Sequence, residues 1–175
     1  MNNSPKCLNA FKVDSVEIEN IEFDGHGEEM NSMFSIRCKC GNSIHKVFGY
    51  NWAYGYSWKN PEHEKTVFTG PIKLKCTDCG IENELFDIEK YGYNSELKLG
   101  CSSASGEGCF TQFKCEKSKT NSFNLIARFE YPSDLFDNDF TEARGHEKDL
   151  FSWFSLYGVY KTRSEIIEIC EFECA

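Results

Sequence analysis

The sequence predicts an all-β or β-dominated α+β protein with mainly antiparallel sheets. Two features of the whole chain support this class. Apolar and polar residues alternate over many short segments, which is the pattern of a strand with one buried face. The 175 residues also include 15 Phe and 8 Tyr, whose flat side chains suit pleated strands better than helices. We expect about nine to eleven strands separated by short turns, in one domain spanning residues 1–175.

Alternation also predicts the individual strands in chain order. The segments are residues 11–14, 16–19, 33–38, 44–48, 72–75, 82–87, 109–115, 123–129 and 166–174. In the last of them, Cys170, Phe172 and Cys174 share one face. Residues 150–160 fit either a helix or a buried strand, and their length and aromatic content favour a strand. Residues 132–146 are acidic, and we expect an irregular segment there.

Residues 48–58 have an aromatic residue at every even position and a small residue at every odd position. On an extended strand, all six rings lie on one face. Two interpretations remain open. The rings could cover the core while a neighbouring backbone packs over the small face. They could also form a wall that binds a partner, with Tyr50, Trp52, Tyr54 and Trp58 as its anchors.

The charge of the chain is acidic and unevenly distributed. The formal net charge is −9, and residues 121–175 contain 11 acidic and 5 basic side chains, which is a net of −6. Such a surface repels phosphate backbones, so binding to nucleic acid is disfavoured. The same surface attracts a basic protein. We expect Asp134, Asp137 and Asp139 to face such a partner.

The N-terminus and the apolar segments indicate where in the cell we expect the protein. The first residues contain no apolar export signal, and no apolar run approaches the roughly 18 residues of a membrane span. We therefore expect a cytoplasmic protein without membrane contact. In that compartment the ten cysteines are better explained as metal ligands and buried thiols than as disulfides.

Two cysteine clusters have the spacing of metal ligands. They are Cys38-Lys39-Cys40-Gly41 and Cys76-Thr77-Asp78-Cys79-Gly80. Two close pairs of thiolates can enclose one tetrahedral zinc ion. The glycine after each pair lets the backbone turn tightly beneath the metal. We therefore predict a structural Zn²⁺ bound by Cys38, Cys40, Cys76 and Cys79.

These clusters resemble the knuckles of the zinc-ribbon superfamily, in which two β-hairpins each contribute two cysteines. The resemblance covers residues 33–88 and implies a zinc-ribbon-like lobe with a closed, structural zinc site. The second cluster matches the C-x-x-C-G knuckle, whereas the first is one residue shorter. His45 and His63 are therefore alternative ligands near the site.

The sequence contains no recognisable catalytic signature. It lacks H-E-x-x-H, and it lacks the H-x-E and P-C-x-x-C pair of zinc deaminases. The leading functional hypothesis is a non-enzymatic, zinc-containing binding protein of the immunity or antitoxin type, which occludes a basic partner such as a toxin. The alternatives are a metal- or thiol-dependent enzyme and a zinc-ribbon adaptor in a nucleic-acid-associated complex.

Overall fold

The structure is a computed structural model that describes residues 4–17, 30–54, 65–99, 106, 108–116, 119–136, 144–159 and 166–175. Its backbone is 51% strand and 10% helix, which confirms the predicted all-β class. The described residues form a single curled, antiparallel sheet of nine strands, within the predicted number. None of the helices in this part of the chain is long and apolar enough to cross a membrane.

The strands follow the predicted order, except that Val16 and Glu17, the described residues of the predicted strand 16–19, are not part of a strand. The strands are β1 (Lys12–Ser15), β2 (Met30–Arg37), β3 (Ile44–Tyr54), β4 (Lys65–Cys76), β5 (Glu82–Phe86), β6 (Cys109–Gln112), β7 (Phe123–Tyr131), β8 (Trp153–Val159) and β9 (Ile166–Glu173). The described helical segments are α1 (Tyr93–Glu96) and the 3₁₀ turns Lys6–Leu8, Ser133–Phe136 and Glu147–Asp149. The ambiguous residues 150–160 contain a strand, β8, as their aromatic content indicated.

The curled sheet consists of two runs of neighbouring strands. One run has the order β1-β2-β7-β8-β9, and the other has the order β6-β3-β4-β5. On one edge of β7, residues 124–130 pair with β8. On its other edge, residues 125–131 pair with β2, and residues 123 and 124 pair with the first two residues of β3. The strands β2 and β3 therefore lie end to end along β7. The two runs meet at the turn that joins β2 to β3.

The core lies between the inner faces of the two runs. Phe86 of β5 is fully buried and stacks on Phe154 of β8, with 4.2 Å between ring centroids and 9° between the planes. Phe172 of β9 lies 5.1 Å from the same ring. The predicted inward face of the last strand is confirmed, because Cys170, Phe172 and Cys174 are all buried.

The aromatic segment 48–58 enters the sheet as part of β3, which the structure describes to Tyr54. The pairing of β3 with β4 shifts register between Phe48 and Tyr50. The buried Gly49 has a β4 backbone close by, since a Cβ added there would lie 2.7 Å from the Thr69 carbonyl oxygen. A close backbone approach is thus present at Gly49, but the rings of Phe48 and Tyr50 do not pack against the core, so the interpretation that the rings cover the core does not hold for them. Phe48 and Tyr50 are half-buried on the opposite face.

Candidate metal centre

The fold brings the four predicted cysteine ligands together. Their Sγ atoms all lie within 4.8 Å of one another, although the two clusters are far apart in sequence. The Sγ atoms of Cys38 and Cys79 are 3.5 Å apart, and those of Cys40 and Cys76 are 3.6 Å apart. Metal–sulfur bonds of about 2.3 Å in a tetrahedron separate the sulfurs by about 3.8 Å. The cluster therefore has the size of a tetrathiolate metal site.

The first pair of ligands lies in a tight turn between β2 and β3. The backbone N–H of Gly41 donates to the Cys38 carbonyl, and the N–H of Cys38 donates to the Asn42 carbonyl, both at 2.8 Å. Gly41 has a φ of 103°, a conformation that residues with a Cβ rarely adopt. This turn differs from the predicted hairpin tip, because β2 and β3 both pair with β7 and continue in the same direction.

The second pair of ligands lies at the tip of a true β-hairpin. β4 and β5 pair up to Lys75 and Glu82, and the N–H of Cys76 donates to the Ile81 carbonyl at 3.0 Å. Gly80 closes the turn with a φ of 72°. The predicted β-hairpin is therefore confirmed for this cluster.

Asn42 connects the two turns through its side-chain amide. Its Nδ2 group donates to Thr77 Oγ1 at 2.8 Å and approaches Cys76 Sγ at 3.4 Å. The N–H of Thr77 in turn donates to the Ile44 carbonyl at 3.1 Å. The two cysteine turns are thus held together by contacts within the protein. Sequence analysis missed Asn42, and its only local signal was a turn-forming residue directly after Cys40-Gly41.

The thiols of the cluster differ in how readily they ionise. Burial opposes ionisation of Cys76, but hydrogen bonds from the Cys79 backbone N–H and the Asn42 side chain outweigh it and lower the pKa of Cys76 to about 6. The backbone N–H of Cys40 favours the Cys38 thiolate, yet burial and the neighbouring sulfurs raise the pKa of Cys38 to about 12. The thiolate of Cys76 therefore forms easily, whereas Cys38 resists ionisation. A bound cation removes that resistance, because metal ligation favours the deprotonated form of every sulfur.

Of the two histidines proposed as alternative ligands, the structure describes only His45. His45 lies opposite Cys76 in the pairing of β3 and β4. Its ring is 1% exposed, with Nδ1 3.2 Å from the Ser43 carbonyl and an edge against the ring of Phe11. Burial lowers the pKa of His45. His45 is not part of the four-sulfur group, and His63 lies outside the described residues.

The residues predicted to bind a partner are only partly described. Tyr50 is half-buried on the outer face of β3. Trp52 and Tyr54 lie within β3, and Asp134 lies in the turn Ser133–Phe136, but the positions of these three side chains are outside the described part. The remaining predicted residues, Trp58, Asp137 and Asp139, lie outside the described residues altogether.

The ligand set determines what a metal could do at this site. Thiolates are soft ligands, and four of them in a tetrahedral arrangement are typical of zinc or of iron–sulfur centres. Four protein ligands also fill every position of a tetrahedral ion, whereas catalytic zinc keeps one position for water or substrate. No protein-family model, curated protein or solved structure matches this chain.

Proposed function

We propose that the protein is a zinc-stabilised binding protein, in which the metal has a structural role and the function is carried by the surface of the sheet. The convergence of the four cysteine sulfurs within 4.8 Å is the observation that carries this proposal. A tetrathiolate leaves no coordination position for a substrate. This favours a structural zinc over the alternative of a metal-dependent enzyme.

The position of the site in the fold supports a structural role. Cys38 and Cys40 lie where the chain passes from one run of strands to the other, and Cys76 and Cys79 lie at the tip of the β4–β5 hairpin. A metal bound by all four residues cross-links the junction between the runs to a strand pair of the second run. Binding of a metal only in the folded state adds its free energy to folding.

Metal analysis tests this proposal directly. We expect protein purified without added metal to contain one zinc ion per chain. We also expect its cobalt-substituted form to show the intense thiolate-to-metal and tetrahedral d–d absorption bands of a four-sulfur site. A protein containing iron and sulfide would instead have an iron–sulfur cluster. A metal-free protein whose four thiols all react with a thiol reagent in the native state would contradict a bound metal of any kind.

For the partner, we propose a basic protein, with the chain acting as an immunity- or antitoxin-type inhibitor that occludes it. The support is the row of glutamates on β9, which in the described part of the sheet pairs with β8 alone. Glu168, Glu171 and Glu173 are all exposed. Burial and the neighbouring carboxylate of Glu171 raise the pKa of Glu168, although Arg128 opposes this. A cationic surface docked on β9 would relieve that repulsion.

The glutamates on β9 could also have a structural role that does not involve a partner. A test of partner binding must therefore distinguish between these two roles. Charged side chains on an edge strand prevent it from pairing with the edge of another molecule. This use requires charge of either sign, whereas attraction of a basic partner requires negative charge. Reversing the sign of the charge therefore distinguishes the two roles.

We expect the double variant Glu171→Lys/Glu173→Lys to associate with its partner about tenfold more slowly at low salt, and with little difference at about 0.5 M salt, because exposed charges are screened. The partner is first isolated from native extract with the wild-type protein and purified, and the rate is then measured by stopped flow. The matched control is Glu17→Lys/Glu89→Lys, which changes the net charge equally at two exposed residues that are not part of β9. An acidic partner, or equal rates for the two double variants, would exclude steering by β9.

A further inference from the structure

The outer face of the run β6-β3-β4-β5 carries a cluster of aromatic rings that was not predicted from the sequence. Phe110 of β6 lies 6.2 Å from Phe48 in a stacked arrangement and 5.1 Å from Tyr50 edge to face. These two β3 residues alternate with buried Val47 and Gly49, so their rings lie on the side of the sheet away from the core. Phe110 is 46% exposed. An exposed ring within a ring cluster is a surface on which another flat group can stack.

Lysines surround this cluster on the same face. Lys73 lies opposite Phe48 across the β3–β4 ladder, and its Nζ atom is 5.7 Å from the centre of the Phe110 ring. Lys46 and Lys75 lie directly opposite each other on the same two strands. Like charges in directly opposed cross-strand positions destabilise a sheet. On its other side, Lys75 lies directly opposite Glu82 of β5, so one carboxylate is shared by the two lysines.

Two glutamates of β5 lie beside this face, directly opposite Lys73 and Lys75 in the β4–β5 ladder. On β5, Glu82 lies 3.6 Å from Lys73, and Glu84 forms an ion pair of 2.8 Å with Lys90. Among the described residues, Lys46 and Lys75 have no such ion pair. The face is therefore locally cationic, although the chain as a whole has a net charge of −9.

We propose that this aromatic–lysine face, formed by Phe48, Tyr50, Phe110, Lys46, Lys73 and Lys75, binds single-stranded nucleic acid. Proteins that bind single strands combine aromatic side chains, on which bases stack, with cations that follow the phosphates. The exposed Phe110 ring provides the stacking surface. The Lys73 ammonium, on a flexible stem, moves from the ring to a phosphate when a base arrives. Lys73 and Lys75 are two residues apart on β4, which spaces them by about 7 Å along the strand.

A single strand fits this face better than a duplex or an acidic protein does. The bases of a duplex are stacked inside it and cannot reach a flat ring, and the acidic remainder of the chain repels its denser phosphate charge. An acidic protein segment would use the lysines but would leave Phe110 without a stacking partner. The face lies on a different run of strands from the glutamates of β9, so this inference is independent of the proposed protein partner.

The test is fluorescence anisotropy with labelled single strands of about 15 nucleotides, a length within the site size of single-strand-binding sheets. Oligo-U RNA and oligo-dT DNA are compared with a duplex of the same length and with an oligo-glutamate peptide, at about 50 and 250 mM salt. The variants are Phe110→Ala, which removes the stacking ring, and Lys46→Glu/Lys75→Glu, which reverses the opposed lysines. The matched control is Lys12→Glu/Lys98→Glu, which makes the same change in charge at two exposed residues elsewhere. Metal content and far-ultraviolet spectra verify that each variant is folded.

We expect the wild type to bind at least one of the two single strands at micromolar concentrations, and more tightly than the duplex. Phe110→Ala is expected to weaken binding by about 5- to 100-fold, the effect of losing one stacked base. The lysine reversal is expected to weaken binding and to reduce the slope of log Kd against log salt by about 1.4, since each phosphate contact on a single strand contributes about 0.7. The control variant should bind like the wild type. A preference for RNA over DNA would indicate contacts to the 2′-hydroxyl.

Four results would overturn the proposal. The first is no binding of either strand at about 50 mM salt, where such contacts are strongest. The second is equal weakening by the control variant, which would indicate charge without a site. The third is unchanged affinity in Phe110→Ala. The fourth is binding of oligo-glutamate as tight as that of the single strands, which would assign the face to an acidic protein segment.

Discussion

Replacing Cys76 by serine is expected to lower the free energy of unfolding by about 5 kcal/mol or more, a fraction of the roughly 10–16 kcal/mol of zinc binding in small zinc domains. The pKa of the Cys76 thiol is lowered to about 6, and its sulfur is 3.6 Å from that of Cys40. Serine cannot supply the soft thiolate, and the remaining ligands keep their mutual repulsion. In a chain of this size, the melting temperature should fall by roughly 10–20 °C.

The measurement is thermal and denaturant unfolding followed by circular dichroism, with and without a zinc chelator. The control is Cys109→Ser, which removes an exposed thiol outside the cluster and should unfold like the wild type. Wild-type protein treated with the chelator should approach the melting temperature of Cys76→Ser, whereas the variant should not respond to the chelator. If Cys76→Ser kept the wild-type melting temperature, the site would not contribute to folding.

Replacing Phe86 by alanine is expected to cost about 3–5 kcal/mol, the usual effect of removing a fully buried aromatic ring. Phe86 lies at the contact between the two runs of strands. It stacks on Phe154 at 4.2 Å and lies 5.1 Å from Phe172 and 6.1 Å from Phe151. Its neighbours belong to different strands and loops, so they cannot all move to fill the space, and part of the cavity remains.

Denaturant unfolding measures this cost, and Phe110→Ala is the matched control because it removes the same side chain from an exposed position. We expect the control to lose less than about 1 kcal/mol. A Phe86→Ala protein within about 1 kcal/mol of the wild type would show that the two runs are not held together through this ring. The same pair of variants separates stability from nucleic-acid binding, since only Phe110→Ala is expected to impair binding.

Part of the candidate site could be predicted from local sequence. The spacing of Cys38, Cys40, Cys76 and Cys79 identified all four sulfurs, because metal ligands in tight turns must be near neighbours in the chain. The hairpin at the second pair was also predictable, since strand patterns lie on both sides of it. The shape of the first turn was not, because β7, from a distant part of the sequence, pairs with both β2 and β3.

Whole-chain properties predicted the surface less well. The net charge of −9 argued against binding to nucleic acid. A ligand, however, interacts mainly with the charges of the one face that it contacts and not with those of the whole chain. Phe110 and Lys73 are 37 positions apart in the sequence and lie within 5.7 Å of each other only because β6 and β4 flank β3. The basic protein partner and the identity of the metal stay predictions.

The sequence by itself determined the fold class, the order of the strands and the four cysteines that cluster at the candidate metal site. These properties depend on the alternation of neighbouring residues and on short ligand spacings, which are local. Only the tertiary structure decided that β2 and β3 lie end to end on β7, that Asn42 connects the two cysteine turns, and that His45 is buried beside the cluster. It also decided which side chains share the outer face of β6, β3 and β4. Strand pairing is non-local, because the backbone of any strand can bond to any other, and the choice among partners is made by packing of the whole core.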